Sequence, residues 1–327
     1  MKRVVSGMRP TGKLHLGNYL GALKNWVSIQ EKYDCYFFIA DYHSLTTKYE
    51  RTREIRSNLE EVVMDWLSAG LDPEKSVLYV QSGLPEIPTL HLLFSMIVPM
   101  PWLERNPTVK EMVRDLNLKE NVGYGLLGYP VLQAADILIV KGEFVPVGKD
   151  QLPHLELTRE IARRFNYLYG DLFPEPQPLL TETPIIKGID GRKMSKSLGN
   201  QINLSDEKEE IESKIIRMVT DPEKIRKGDP GHPDVCSVFS YYKTLFPETT
   251  HTIRKECESG KRGCVQCKKE LADRIYKKLE PLRERRVKFE NNKKLLWDII
   301  NSGTEKARKI AKETVKKAKE LIGIDYI

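Results

Sequence analysis

Ser6 to Ala22 reads SGMRPTGKLHLGNYLGA, a glycine-rich turn between a short β-branched run and a helix. The run before it, Lys2 to Ser6 (KRVVS), has the composition of a strand. After it, Asn18 to Tyr33 spaces Leu, Val, Ile and Trp as a helix does. Gly7, Gly12 and Gly17 permit positive φ or close backbone approach, and His15 and Asn18 add side-chain donors. In an open α/β sheet, nucleotides bind in the crevice at the strand carboxyl ends, where helix N–H groups and the helix dipole meet phosphate. An ordinary strand–helix turn has the same outline, so the segment alone leaves both readings open.

Outward from this turn, strands are expected at Asp34 to Ile39, Ser76 to Gln81 and Glu143 to Val147. Helical spacing covers Thr52 to Ala69, with Gly70 as its C-terminal stop, and Leu152 to Phe165. This alternation predicts an α/β fold, a Rossmann-type doubly wound parallel sheet with helices on both faces. The proline-rich stretch Phe173 to Thr183 reads as an extended connector. Beyond Ser205 the chain turns helical: Ser205 can cap a helix whose first turns carry Asp206, Glu207, Glu209 and Glu210, so a second, all-helical domain is expected.

The chain's 327 residues, 40% hydrophobic and 30% charged, suffice for two separate cores and argue against disorder. The greasiest stretch, Leu92 to Leu103, is interrupted by Pro99 and Pro101, so no membrane span is expected. The basic N-terminus lacks the apolar core of a signal peptide, and the chain is expected in the cytoplasm. Most of the net charge of +7 falls between Pro281 and Ile327. That basic helical tail suits a solvated face or a nucleic-acid surface equally well.

A second segment, Gly191 to Asn200 (GRKMSKSLGN), places two lysines three residues apart in a polar, glycine-containing loop. Such a loop can close on a polyphosphate and stabilise developing negative charge. Together, His15-Leu16-Gly17-Asn18 and Lys193-Met194-Ser195-Lys196-Ser197 resemble the HIGH-like and KMSKS signatures of class I aminoacyl-tRNA synthetases. RPTGKLHLGNY at the start, YPVLQAADIL from Tyr129 and VPVGKDQLPHLELTREIARRFN from Val145 resemble the bacterial type of the tryptophanyl-tRNA synthetase family.

The resemblance implies that tryptophan is activated by ATP, with Mg²⁺ on the phosphates, and then transferred to the 3′-terminal adenosine of tRNA(Trp). It implies that His15, Asn18, Lys193 and Lys196 carry the chemistry. Arg9, Pro10, Thr11, Gly17 and Asn18 would line ATP, with Gly148, Lys149 and Asp150 as a second nucleotide-binding turn. Lys193, Met194, Ser195, Lys196 and Ser197 would complete that site, with Ile185 or Ile186 beside the adenine, although core packing explains at least one of these isoleucines. Asp136 would read the indole N–H, with Tyr129, Gln133, Gln151 and His43 around the amino acid. From the residues alone, Asp136 could instead serve a structural salt bridge and His43 could be a core histidine. The implied organisation is a catalytic domain at 1–185, a helical anticodon-binding domain at 186–290 and basic C-terminal helices at 291–327, in a homodimer. Competing readings are a tyrosyl-tRNA synthetase, a small adenylyltransferase, and a non-catalytic RNA-binding protein on a synthetase fold.

Four of the five cysteines, Cys236, Cys257, Cys264 and Cys267, fall close together, a pattern expected of metal ligation rather than disulfides in a cytosolic chain. Zinc or an iron–sulfur cluster fits four thiolates. The family resemblance favours a four-iron four-sulfur cluster, with Zn²⁺ as the alternative. Cys35, alone in a strand, reads as a buried hydrophobe.

Overall fold

The computed structural model describes residues 1–50, 52–115, 122–148, 152–180 and 186–326. Five strands, β1 (Arg3–Met8), β2 (Asp34–Ile39), β3 (Ser76–Val80), β4 (Phe144–Val147) and β5 (Gln177–Leu180), pair in parallel in the order β3-β2-β1-β4-β5. The order reverses between β1 and β4, which opens a crevice at the carboxyl ends of those two strands. The doubly wound expectation is met, and the four expected strands lie within two residues of their observed bounds. The fifth strand lies in the stretch expected to be a connector. Its Pro178 lacks a ladder donor, which an edge strand tolerates and a central strand does not.

Helices cover both faces. The first turn leads into α1 (Leu16–Asn18), continues through a π-helical segment (Tyr19–Leu23) and ends in α2 (Lys24–Ile29). Then follow α3 (Asp41–Lys48), α4 (Ile55–Ala69), α5 (Glu86–Ser95), α6 (Met100–Glu104), α7 (Pro107–Asp115), α8 (Tyr124–Ile139) and α9 (Leu152–Tyr169). Strand β2 is buried on both faces, and its period of two divides it between two cores. Cys35, Phe37 and Ile39 join one core with Trp26 and Trp66; Tyr36 and Phe38 join the other with Tyr79, Phe94 and Phe165. Trp26 stacks on Phe37 at 4.5 Å between ring centroids and meets Trp66 edge-on at 5.4 Å. Cys35 is buried there, as the sequence led us to expect.

From residue 208 on, the described elements are helices: α10 (Lys208–Ile216), α11 (Ser237–Leu245), α12 (Thr250–Glu258), α13 (Cys264–Glu290) and α14 (Lys293–Ile322), with short 3₁₀ turns between. Helix α13 packs on α10 and reaches α4, and α14 lies along β3. The approach of α14 is close because it presents a small face. A Cβ on Gly303 would stand 2.0 Å from the Leu78 carbonyl oxygen, and Ala307, Ala311 and Ala318 are buried along the same helix. Thr304 Oγ1 accepts the Val80 N–H at 3.3 Å, so the helix also covers the outer edge of β3.

Candidate functional site

The glycine-rich turn leaves the carboxyl end of β1 and is closed by His15. The His15 side chain caps α1: its Nδ1 accepts the Asn18 N–H at 3.2 Å, and Asn18 Oδ1 accepts the His15 N–H at 3.2 Å. This reciprocal pair satisfies two backbone donors and fixes the imidazole. With Nδ1 accepting, the ring proton sits on Nε2. Burial, reinforced by nearby Lys196, lowers the His15 pKa to about 4, so the ring is a neutral donor near pH 7. Gly17 has no Cβ because one would stand 3.0 Å from that ring. Gly12 needs its left-handed φ of +88° to turn the chain.

The lysine loop comes back to this turn. Lys196 Nζ donates to the Thr11 carbonyl at 2.9 Å, to Thr11 Oγ1 at 3.1 Å and to the Gly12 carbonyl at 2.8 Å. Its base is tied to the same turn, since Leu16 donates to the Ile202 carbonyl at 2.9 Å and Leu204 to the Leu14 carbonyl at 2.8 Å. Within the loop, buried Asn200 accepts the Ser195 N–H at 2.8 Å and donates to Asp190 Oδ1 at 2.8 Å and to the Lys193 carbonyl at 3.1 Å. Met194 is buried in the core cluster that also contains Leu16 and Ile186, whereas Lys193 and Ser197 are exposed. Ser195 and Ser197 share a hydroxyl contact of 2.8 Å.

Beside the turn, a crevice of about 320 Å³ opens between β1 and β4. Its walls include Val5, Phe38, Ile137, Val145 and Val147, and Gln133 and Gly148 reach it too. Helix α8, whose Gln133 and Ile137 line this crevice, holds Asp136 fully buried (0% exposed). His43 Nε2 lies 2.8 Å from Asp136 Oδ2, and Gln81 Nε2 donates to Oδ1 at 2.7 Å and to Oδ2 at 2.9 Å. The Gln81 amide orientation is set by the Tyr42 N–H, which its oxygen accepts at 3.0 Å. Burial pushes the Asp136 carboxyl up, against the pull of the His43 and Gln81 hydrogen bonds. Tyr129, also on α8, meets the His43 ring edge-on at 6.3 Å and places its hydroxyl 3.3 Å from His154 Nε2.

The structure therefore brings Thr11, His15, Asn18 and Lys196 together at the signature turn, and His43, Gln81, Asp136 and Tyr129 together around α8. Arg9 is exposed on the turn and Pro10 is buried. Lys149, Asp150, Gln151 and Ile185 lie outside the described residues. Sequence reasoning missed Gln81 and Asn200. The available signals were the position of Gln81 at the carboxyl end of β3 and of Asn200 as the last residue of the lysine loop.

The expected metal centre is corrected. Among the described residues, no group of three or more His, Cys, Asp or Glu side chains is arranged to hold a metal ion, and Cys236, Cys257, Cys264 and Cys267 are free. Neither the four-iron four-sulfur cluster nor zinc is supported. Burial pushes the Cys236 and Cys257 thiols up and raises Cys267 to about 11. The cation nearest Cys267, Arg262, is itself engaged by Glu256 and Glu270.

This fold, with its paired signature loops, defines a class I aminoacyl-tRNA synthetase: the chain belongs to the family of tRNA synthetases class I (W and Y), which matches residues 1–280. It is 48% identical to the tryptophan–tRNA ligase of Thermotoga maritima, over 99% of this chain and all of that one. Identity to the Aquifex aeolicus tryptophan–tRNA ligase is 46%, over 98% of this chain and all of the relative. A tryptophanyl-tRNA synthetase from Campylobacter jejuni, solved with ADP and tryptophan, superposes with a TM-score of 0.89 at 35% identity, covering 98% of this chain and 99% of that one. The activity of the present chain is accordingly that of a tryptophan–tRNA ligase.

Proposed function

We propose that the crevice between β1 and β4 takes the tryptophan side chain, and that the two signature loops take ATP as its magnesium complex. The observation that carries this reading is the Lys196 contact to Thr11 and Gly12, which joins two segments 184 and 185 residues apart beside the capped His15. Phosphate oxygens would compete with those carbonyls for the ammonium.

In the first step a carboxylate oxygen of tryptophan attacks the α-phosphorus, and pyrophosphate leaves. No protein nucleophile is needed, so positioning and charge stabilisation supply the acceleration. Neutral His15 offers its Nε2–H, and Asn18, Arg9 and Thr11 line the phosphates. Lys193 and Lys196 stabilise the departing pyrophosphate, with Ser195 and Ser197 beside them. Gly17 leaves room for adenosine, with Ile186 beside it. Met194 anchors the loop from the core. Gly148, with Lys149 and Asp150, would hold the ribose, and Ile185 would stand near the adenine. In the second step a ribose hydroxyl of tRNA(Trp) attacks the activated carbonyl and AMP leaves.

Asp136 is proposed to accept the indole N–H. A carboxylate offers about four acceptor positions. Three hydrogen bonds from His43 and Gln81 occupy Asp136, which leaves capacity for one more. Tyr129, Gln133 and Gln151 would hold the amino and carboxylate ends. A hydrogen bond to a charged group contributes about 1.5–3 kcal/mol. Asp136→Asn should thus lower kcat/KM for tryptophan by about 10- to 150-fold, with the KM for ATP unchanged. Lys196→Met should lower kcat by about 100-fold or more. Parental constants in either variant would remove that residue's assigned role.

The domain reading of 1–185, 186–290 and 291–327 belongs to the same proposal, as does a cytoplasmic homodimer. Exposed Leu92 on α5, Met96 just after it, Met100 on α6 and Tyr124 on α8 support the dimer, and α8 packs against both α5 and α6. The largely exposed lysines of α14 support contact with the tRNA backbone.

A further inference from the structure

We infer that Asp65, clamped by Arg286, is a positioning residue for tryptophan activation, setting the signature turn through the Leu14 backbone N–H. Asp65 lies on α4 and is 1% exposed; Arg286 lies near the end of α13 and is 4% exposed. Asp65 Oδ2 accepts the Leu14 N–H at 2.6 Å, and Oδ1 accepts from Arg286 Nη1 at 2.5 Å. The other Arg286 nitrogens go to Glu61 Oε2 and Glu290 Oε1, each at 2.6 Å. Each guanidinium nitrogen thereby has a carboxylate partner, and Asp65 has one oxygen for α13 and one for the turn.

A buried ion pair is a poor source of net stability, because desolvating two charges offsets their attraction; its best-attested use is to fix a register. Here the register is that of the catalytic turn. Leu14 immediately precedes His15, whose ring and backbone hold Asn18. On its other side the turn is tied to the segment that follows the lysine loop, through Leu14–Leu204 and Leu16–Ile202. Asp65 thus supplies the grip from beneath and the lysine loop the grip from above. The neighbouring Arg285 donates to the Ser68 carbonyl at 2.6 Å, a second tie between α13 and α4. Because α13 runs 27 residues from Cys264, about 40 Å, this link connects the helical region with the turn.

The inference rests on the reading of His15 and Asn18 as phosphate contacts, and the test keeps the two apart. Tryptophan-dependent ATP–pyrophosphate exchange is measured on full-length Asp65→Ala, folded by circular dichroism. A drop in kcat of tenfold or more is expected, with the KM for ATP raised and the KM for tryptophan within twofold of the parent. Asp65→Asn keeps an oxygen toward Leu14 and should return kcat to within threefold. A merely structural role would lower the melting temperature of both variants and leave the constants of the folded protein at parental values, which overturns the proposal. Should Asp65→Ala not fold, Asp65→Glu decides. Its longer arm shifts the Leu14 contact, so the same kcat loss supports the proposal and parental kinetics overturn it. His15→Ala with parental kinetics would instead remove the phosphate reading of the turn.

Discussion

At His15 one imidazole has two tasks, one observed and one proposed, and only the first requires it to be neutral. As a cap it accepts through Nδ1, which protonation would abolish; as the proposed phosphate contact it would donate through Nε2. Its folded pKa, about 4, lies below the ordinary 6.5, so the folded state binds fewer protons than the unfolded one between those values. The stability that His15 contributes is therefore complete above pH 6.5 and is lost as pH falls toward 4. His15→Asn preserves an N-cap without the titration. Urea midpoints should show the parent losing ground to this variant between pH 6.5 and 4, and a constant difference across that range would contradict the argument. Such residues were legible because short polar motifs with glycines declare a tight turn. Gln81 was not, because its partner Asp136 lies 55 residues onward and only the fold introduces them. Asp65 was not singled out for the same reason, since its partner Leu14 lies 51 residues away. The cysteine spacing misled: closeness in sequence suggested a ligand set, and among the described residues the half-buried thiols form none.

Among the elements, β2 was readable as a short aromatic, apolar run and the helix after the first turn from its hydrophobic spacing, while β5 was hidden by its prolines. Edge strands are where proline does least harm, so a proline-rich run beside an α/β unit deserves to be weighed as a strand. Helix α14 was legible as a basic helix, but its docking along β3 depends on backbone proximity, which composition does not record. Gly303 is the position at which that docking is most exacting. Gly303→Val would drive a branched side chain into the Leu78 backbone, which, unlike a flexible side chain, cannot move aside. Overpacking of this kind costs about 1–3 kcal/mol, and the rigid neighbour argues for the upper end. The melting temperature should fall by several degrees, whereas Lys312→Ala, a change at an exposed position of the same helix, should leave it unchanged. Equal melting temperatures for the two variants would mean that α14 does not pack as described.

For the whole molecule, a sheet crevice, two converging loops and a helical arm form an arrangement for joining an amino acid to an RNA. The exposed apolar residues of α5, α6 and α8 are proposed to face a second copy of the chain. Met96→Asp should shift sedimentation toward the monomer, and an unchanged boundary would place the dimer contact elsewhere. Specificity for tryptophan over tyrosine is the claim on which the rest depends. A class I site of this shape could activate either ring, and the proposed contact of the buried Asp136 carboxylate with an indole N–H is what would separate them. The most direct test is ATP–pyrophosphate exchange with purified protein, offered each amino acid separately at matched concentration. Exchange that depends on tryptophan and stays at background with tyrosine is the predicted result; exchange supported by tyrosine, or by neither, would contradict the account.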